Sequence, residues 1–159
     1  MITKTKINFY INYLFFLAIW IGSAFHDTFS TNYTWYSDPI TYINYTTEHN
    51  IPGGISPWPF STMLLMISAI IAIVALRKYT GHGKKEVMIS LTGTLIIIAI
   101  TLIYFVPTLG KVFGVPNQHS NESLISMSRI WVILNIIRFF VLAFLFFTGL
   151  RGLGKIYTK

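Results

Sequence analysis

The chain has 159 residues, of which 53% are hydrophobic, 16% aromatic and only 11% charged, and its formal net charge at pH 7 is +7. A soluble domain of this length carries far more polar surface, so the composition excludes that class and favours a membrane protein. The chain has no cysteine, which excludes disulfide staples and a thiol–disulfide relay.

Four apolar runs follow one another along the chain, and each approaches the roughly 17–25 residues that cross a bilayer as a helix. Backbone polar groups in hydrocarbon must be satisfied within their own segment, so these runs are expected to be helices rather than strands. The sequence therefore predicts an all-α protein, an integral membrane four-helix bundle that forms a single domain over residues 1–159. The predicted helices lie at approximately residues 7–25, 60–76, 87–107 and 130–150.

The first run follows Lys4 and Lys6 and ends near the small residues Gly22-Ser23-Ala24. This pattern also occurs in cleavable secretory signals, but the run is longer than a usual signal core, so a retained helix is the preferred interpretation. One face of this helix is predicted to point into the bundle and to end at the membrane edge beside Asp27. That face consists of Asn12, Phe16, Ile19, Ser23 and His26.

A long outer loop, residues 26–59, is predicted between the first two helices. It contains no Lys or Arg and is dense in Tyr and Trp, which suits either an aromatic belt at the lipid head groups or a lid over a site. Asp38-Pro39 is predicted to begin a short helix on the membrane surface, with Pro39 at its first position. The run Ile51-Pro52-Gly53-Gly54 is expected to turn the chain toward the second helix.

The basic residues predict the orientation. Nine of the twelve flank the predicted helices on one side: Lys4, Lys6, Arg77, Lys78, Lys84, Lys85, Arg151, Lys155 and Lys159. The positive-inside rule then predicts that both termini are cytoplasmic and that the long loop is extracytoplasmic, in a bacterial inner (plasma) membrane. Membrane lipid is the expected partner of these clusters, and anionic head groups explain the high pI without nucleic acid.

The second and third predicted helices carry small and polar stripes. Ser68 and Ala72 belong to a small-residue face that suits close helix packing. Thr101 and Tyr104 lie on a stripe of threonines that recurs every seven residues along the third helix. These polar side chains either line a pocket or form ordinary hydrogen bonds between membrane helices, each of which contributes about 0.6 kcal/mol to stability.

The fourth predicted helix carries an arginine near its middle. Trp131, Asn135 and Arg138 fall at positions i, i+4 and i+7, so they share one face. An arginine in hydrocarbon costs at least about 2.5–3.5 kcal/mol, and Arg138 lies about 12 Å below the outer end of its span, too deep to reach the head groups. It is expected to point into the bundle, either toward a ligand or as a structural lock bonded to Tyr104 or to carbonyls freed by Pro107.

Two segments resemble one family. The proline-containing end of the third helix, YFVPTLGKVFG, and the W-x3-N-x2-R pattern in RIWVILNIIRFF are similar to the anthrone oxygenase-like membrane proteins, a family catalogued mainly as a domain of unknown function; TWYSDP is also similar to a segment of some relatives. The resemblance places Pro107, Trp131, Asn135 and Arg138 at pattern positions. It implies a four-helix membrane fold and, for some members, oxygenation of polycyclic aromatic anthrones without an evident metal or flavin. Many relatives have Asn soon after the proline, where this chain has Thr108-Leu109-Gly110.

These features predict a polar pocket in the outer half of the bundle, opening under the long loop. In an enzyme acting on a small lipophilic aromatic or quinone-like molecule, Arg138 stabilises an oxyanion and His26 acts as base, while Asn135 donates a hydrogen bond. The candidate catalytic residues are His26 and Arg138. The candidate substrate-binding residues are Trp131, Asn135, Thr101, Tyr104 and Asp27.

A second function class remains open, a non-catalytic membrane protein that binds a lipid or small anion or scaffolds a partner. A proton-coupled exporter is disfavoured, because such exporters use an intramembrane carboxylate and no Asp or Glu lies within any predicted span. Asp27 is the nearest carboxylate expected for Arg138. No histidine pair has metal-ligand spacing, so neither a metal nor another cofactor is expected.

Overall fold

The computed structural model describes residues 4–26, 28–29, 32–49, 58–114 and 116–158. These residues form helices joined by turns, with no strand among them, so the prediction of an all-α protein is confirmed. The α-helices are α1 Lys4–His26, α2 Asn32–Ser37, α3 Pro39–Glu48, α4 Trp58–Leu76, α5 Lys84–Ile100, α6 Val106–Leu109 and α7 Asn121–Tyr157. The predicted turn at residues 51–54 lies outside the described residues.

Three helices are long and apolar enough to cross a membrane. They are α1, the continuous helical segment from Lys84 to Gly114 and α7, while the apolar stretch Phe60–Leu76 of α4 is shorter. Large apolar side chains cover the outward faces of these helices; Phe144, for example, is 64% exposed. A helix that is apolar all round suits lipid rather than water, so these faces indicate an integral membrane protein.

The four longest helices alternate in direction. The hydroxyl of Tyr10, early in α1, donates to the carbonyl of Gly149, late in α7, at 3.1 Å. Lys155, near the end of α7, forms an ion pair with Glu86 in the first turn of α5. Trp20, near the end of α1, donates to Thr62, near the start of α4, at 3.1 Å. One end of the molecule therefore collects the basic residues of α1, α5 and α7, and we call it the basic end.

A closed hydrogen-bond network joins three helices near the basic end. The hydroxyl of Tyr13 on α1 lies 2.9 Å from the carbonyl oxygen of Ser90 and 2.8 Å from the hydroxyl oxygen of Thr94, both on α5. The Ser90 hydroxyl donates to the carbonyl of Leu145 on α7 at 2.8 Å. The side chains of Tyr13, Ser90 and Thr94 are buried, and each has a hydrogen-bond partner within the network, as buried polar groups require.

The predicted inward face of α1 is wrong. Asn12 and His26 are exposed, and Ile19 is 43% exposed. The buried face instead carries large rings with a polar tip, among them Tyr13 and Trp20. An aromatic ring buries much apolar area while its hydroxyl or N–H still finds a partner, so it outcompetes the smaller polar side chains for the interior.

The small-residue face of α4 packs inward, because Ser68 and Ala72 are both buried. The predicted long loop between α1 and α4 is largely helical in its described part. Asp38 caps α3 by accepting from the backbone N–H of Thr41 at 3.3 Å, and Pro39 is the first residue of α3, so the prediction of a helix start at this position is confirmed. Its location on a membrane surface stays a prediction.

The helices α2 and α3 pack against the first turns of α7 and the π-helical segment Gly110–Gly114. We call these four elements the cap. Two of its side chains, Trp35 and Ile43, are almost completely buried, at 3% and 1% exposure. Outside, the guanidinium carbon of Arg129 lies 5.7 Å from the ring centre of Tyr36, which attaches α2 to α7. The cap closes the end of the molecule opposite the basic end.

Glycine lets α7 approach its neighbours closely near the basic end. A Cβ atom placed on Gly149 would lie 2.7 Å from the Ser90 hydroxyl and 2.8 Å from both Leu14 and the Tyr10 hydroxyl, whereas one placed on Gly154 would meet nothing within 4 Å. We expect Gly149→Ala to lower the free energy of unfolding by about 1–3 kcal/mol through overpacking. The control, Gly154→Ala, should raise it by about 0.5–1 kcal/mol because alanine is the better helix former.

SDS-induced unfolding of the two purified variants measures this difference. Equal stability of the two variants would contradict the close approach of α7 to α1 and α5 at Gly149.

Candidate functional site

Arg138 lies near the midpoint of α7 and is 7% exposed. One of its terminal nitrogens, Nη2, donates to the side-chain oxygen of Asn135 one turn earlier. The other, Nη1, donates to the hydroxyl oxygen of Thr101 at 3.3 Å. The guanidinium therefore faces into the helix bundle and links α7 to the continuation of α5.

Two aromatic rings flank the same guanidinium. Its carbon lies 4.4 Å from the ring centre of Phe105 and 5.6 Å from that of Trp20. Each such cation–π contact contributes about 2 kcal/mol when water is excluded. Trp20 in turn donates to Thr62 on α4, so the four longest helices are all connected to Arg138 directly or through one further residue.

A π-helical turn presents α5's contribution to this site. The turn covers Thr101–Phe105, and the N–H of Val106 bonds to the carbonyl of Thr101 five residues earlier. Thr101 and Phe105 are both buried on the side that faces Arg138. The Thr101 hydroxyl donates to the carbonyl of Ile97 at 2.8 Å, so its oxygen lone pairs remain available to accept from the guanidinium. Short π-helical turns of this kind occur frequently at functional sites.

An aromatic cluster continues from this site toward the cap. It consists of Trp35, Tyr42, Phe105, Phe113 and Trp131, contributed by α2, α3, the continuation of α5 and α7. The ring centres of Trp35 and Trp131 are 4.5 Å apart, and that of Phe105 is 5.6 Å from Trp131. The rings thus form an apolar wall along the face of α7 that carries Arg138.

Several buried donors in this region have no acceptor among the residues that the structure describes. They are Trp35 Nε1, Ser128 Oγ, Trp131 Nε1 and Asn135 Nδ2. The four side chains are 6% exposed or less. Burying a polar group without a hydrogen-bond partner costs about 1–3 kcal/mol, and each such group in a native structure requires an explanation. The region is therefore rich in donors and short of acceptors.

The structure brings together four of the predicted site residues. Arg138 donates to both Asn135 and Thr101, and Trp131 joins them through Phe105. Tyr104 is half-buried and packs at 5.4 Å against Phe105, on the flank of the guanidinium's aromatic neighbour. The roles assigned to these residues stay predictions.

Two predicted site residues remain. His26, the predicted base, is exposed at the last residue of α1, and Asp27, the predicted partner of Arg138, lies outside the described residues. Among the described residues, no three side chains of His, Asp or Glu come close enough to hold a metal ion.

Sequence reasoning missed Phe105, Ser128 and Trp35. Ser128 lies seven residues before Asn135 on the same helical face, so extending the predicted helix by one turn would have found it. Phe105 follows Thr101 by four residues and shares its face. Trp35 carried no such signal, because its partner Trp131 is distant in the chain and periodicity reports only local neighbours.

The chain matches no family model, no curated protein and no solved structure.

Thr101 and Thr108 provide a matched test of the contact to Arg138. Both hydroxyls donate at 2.8 Å to the carbonyl four residues earlier, but only Thr101 also accepts from the guanidinium. We expect Thr101→Val to lower the free energy of unfolding by about 0.6–1.7 kcal/mol more than Thr108→Val, the range measured for hydrogen bonds between membrane helices. SDS-induced unfolding provides the measurement. An equal decrease in the free energy of unfolding of the two variants would contradict the hydrogen bond between Arg138 and Thr101.

Proposed function

We propose that this chain is a four-span membrane protein that binds a small, flat, lipophilic aromatic or quinone-like molecule beside Arg138. The guanidinium and the amide nitrogen of Asn135 donate to an oxygen of the ligand, and Trp131 packs against its ring. The binding site lies between α1, α7 and the continuation of α5, under the cap.

The observation that carries this proposal is the unused donor of Asn135. Its side-chain oxygen accepts from Arg138, which fixes the amide orientation, while its Nδ2 is fully buried with no acceptor among the described residues. A positive charge and a free donor thus converge at one place. Their natural complement is an oxygen that carries negative charge, such as a phenolate, an enolate or the carbonyl of a quinone.

The walls of the site favour an aromatic ligand over a simple anion. Trp20 and Phe105 flank the guanidinium, and Trp131 continues the apolar surface. A flat ring can extend this aromatic packing with an offset or edge-on geometry, whereas a small inorganic anion cannot. Apolar walls with a few convergent polar groups are typical of small-molecule sites.

Helix lengths and directions support four crossings. α4 has 19 residues, and at 1.5 Å per residue it is about 28 Å long, close to the thickness of a bilayer core. α7 has 37 residues and is about 55 Å long, so its first turns extend beyond the lipid together with the cap. Because the basic residues gather at one end, that end is assigned to the cytoplasm and the cap to the outside.

The resemblance to the anthrone oxygenase-like proteins extends this proposal to chemistry. Electron-rich phenolates react directly with oxygen, so a site that stabilises the phenolate supplies what such an oxygenation needs. The proposed function itself requires only ligand binding, which the donors of Arg138 and Asn135 support. His26 has no part in it because its side chain is exposed.

Single cysteines in this cysteine-free chain test the orientation. A cysteine at Ser37, in the cap, should react with a membrane-impermeant maleimide added to the outside of intact cells. A cysteine at Lys84, at the basic end, should react only after the cells are opened, because the two positions lie on opposite sides of the membrane. Labelling of both positions from the same side would refute four crossings with cytoplasmic termini.

Ligand-induced stabilisation tests the site, with 2-naphthoate and 2-hydroxy-1,4-naphthoquinone as probes. At a probe concentration of about 100 times Kd, binding should raise the free energy of unfolding by about 2.7 kcal/mol. Arg138→Met should remove this increase while the protein still folds, because the thioether chain fills the space between the rings. The control, Arg129→Met, changes an exposed arginine of the same helix and should retain the full increase.

Asn135→Asp gives a second, independent variant. It keeps an acceptor for Arg138 but replaces the free donor by a negative charge, so it should unfold no more easily than the wild type and should lose binding of the anionic probes. Full probe-induced stabilisation in a folded Arg138→Met or Asn135→Asp variant would eliminate the proposed site.

A further inference from the structure

A second group of unused donors lies nearer the cap than Arg138. It consists of the indole N–H groups of Trp35 and Trp131 and the hydroxyl of Ser128, none of which has a hydrogen-bond partner among the described residues. Trp35 and Trp131 contact each other with ring centres 4.5 Å apart. α2 and α7 thus each contribute an indole donor to this contact, and Ser128 lies one turn before Trp131 on α7.

The two groups of donors follow one face of α7. Ser128 precedes Asn135 by seven residues, and Trp131 precedes Arg138 by the same number, which is about two helical turns. At 1.5 Å per residue, the group near the cap is displaced by about 10 Å from the group at Arg138. The aromatic cluster lines the interval, because Phe105 contacts both Trp131 and the Arg138 guanidinium.

The chemistry of the second group matches that of the first. An indole N–H can only donate, and the Ser128 hydroxyl can donate as well as accept, so the group calls for an acceptor. A bound water molecule needs two to four polar partners. The two indoles and Ser128 could supply these partners to a water, so the donors alone do not select the acceptor. The apolar rings of Phe113 and Phe105 beside them suit the flat body of an aromatic molecule, which favours an oxygen carried on such a ring.

We propose that Trp35, Ser128 and Trp131 form a second acceptor subsite, so that the ligand is an aromatic molecule with oxygen acceptors at both of its ends. One end binds Arg138 and Asn135, and the other binds the two indoles and Ser128 under the cap. This inference rests on the proposed function and narrows its ligand class from any oxygenated ring to an elongated ring system oxygenated at opposite ends.

The subsite assigns a role to the cap. Trp35 reaches the subsite from α2, where its ring centre lies 5.8 Å from that of Tyr42 and 5.2 Å from that of Phe113. The subsite is therefore complete only when α2 is docked on α7. A ligand that engages both ends connects the transmembrane part of α7 to the cap, and its binding should stabilise the docked arrangement.

Two probes with the same ring test this assignment by calorimetric titration of the full chain in lipid nanodiscs. Naphthalene-2,6-dicarboxylate carries an acceptor group at each end of the ring, and 2-naphthoate carries one. We expect the dicarboxylate to bind at least tenfold more tightly, because the second carboxylate engages the donors of the second subsite. Trp35→Phe and Ser128→Ala should each lower the affinity for the dicarboxylate by about tenfold and leave that for 2-naphthoate unchanged.

Ser68→Ala is the matched control for Ser128→Ala. Ser68 is also buried, but its hydroxyl donates to the carbonyl of Leu65 at 2.8 Å on α4, away from the cap. This variant should leave both affinities unchanged. In the absence of a probe, Ser128→Ala should melt no lower than the wild type, since it removes a buried group that has no partner.

The outcomes separate the two proposals. If 2-naphthoate binds through Arg138 but the dicarboxylate binds no more tightly, the second subsite is overturned and the proposed function stands. If the dicarboxylate binds more tightly but Trp35→Phe and Ser128→Ala leave its affinity unchanged, the second subsite is again overturned. If neither probe binds, both proposals fall.

Discussion

The burial of one guanidinium organises this molecule. An arginine at the middle of a membrane helix costs at least about 2.5–3.5 kcal/mol, and Arg138 meets this cost with two hydrogen bonds and two aromatic faces drawn from α1, α7 and the continuation of α5. Each of these contacts is worth a similar amount when water is excluded. The π-helical turn at Thr101–Phe105 contributes to this burial, because it directs the Thr101 hydroxyl and the Phe105 ring at the same guanidinium.

The two ends of the helix bundle differ in how their buried polar groups are hydrogen bonded. At the basic end, polar groups are closed among themselves by Tyr13, Ser90 and Thr94, and Gly149 lets the helices touch. At the cap end the helices are separated by large rings, and several buried donors have no acceptor within the described part of the chain. Among the described residues, the network of buried hydrogen bonds thus lies at the basic end and the donors without an acceptor lie toward the cap. The unused donors cost free energy that a protein selected only for stability would have recovered by substitution.

Hydropathy and helical periodicity predicted much of this structure from local information. The apolar runs predicted the helices, and the spacing of Asn135 and Arg138 placed them on one face, which the hydrogen bond between them confirms. Periodicity predicted the wrong buried face of α1, because it followed the polar residues. The large rings of Tyr13 and Trp20 fill the interior better than those residues do. Periodicity also began the last helix too late, because Asn121–Arg129 is polar and is supported by Ser120 at its N-cap and by the cap packed against it. Trp35 required a contact across nearly a hundred residues, which no local pattern contains.

The glycine contact between α7 and its neighbours has a consequence for movement. At Gly149 the side chains of Ser90, Leu14 and Tyr10 pack directly against the backbone of α7, and the ion pair of Lys155 with Glu86 joins α7 to α5 at the same end. The opposite end is joined through side chains and through a helix interrupted by π-helical turns around Pro107, so rotation about the basic end is the least costly motion available. In such a rotation the helices separate at their cap ends and stay in contact at the basic end, which is proposed to be cytoplasmic. If the proposed ligand binds beside Arg138, this motion would open the site at the cap end and leave the basic end closed.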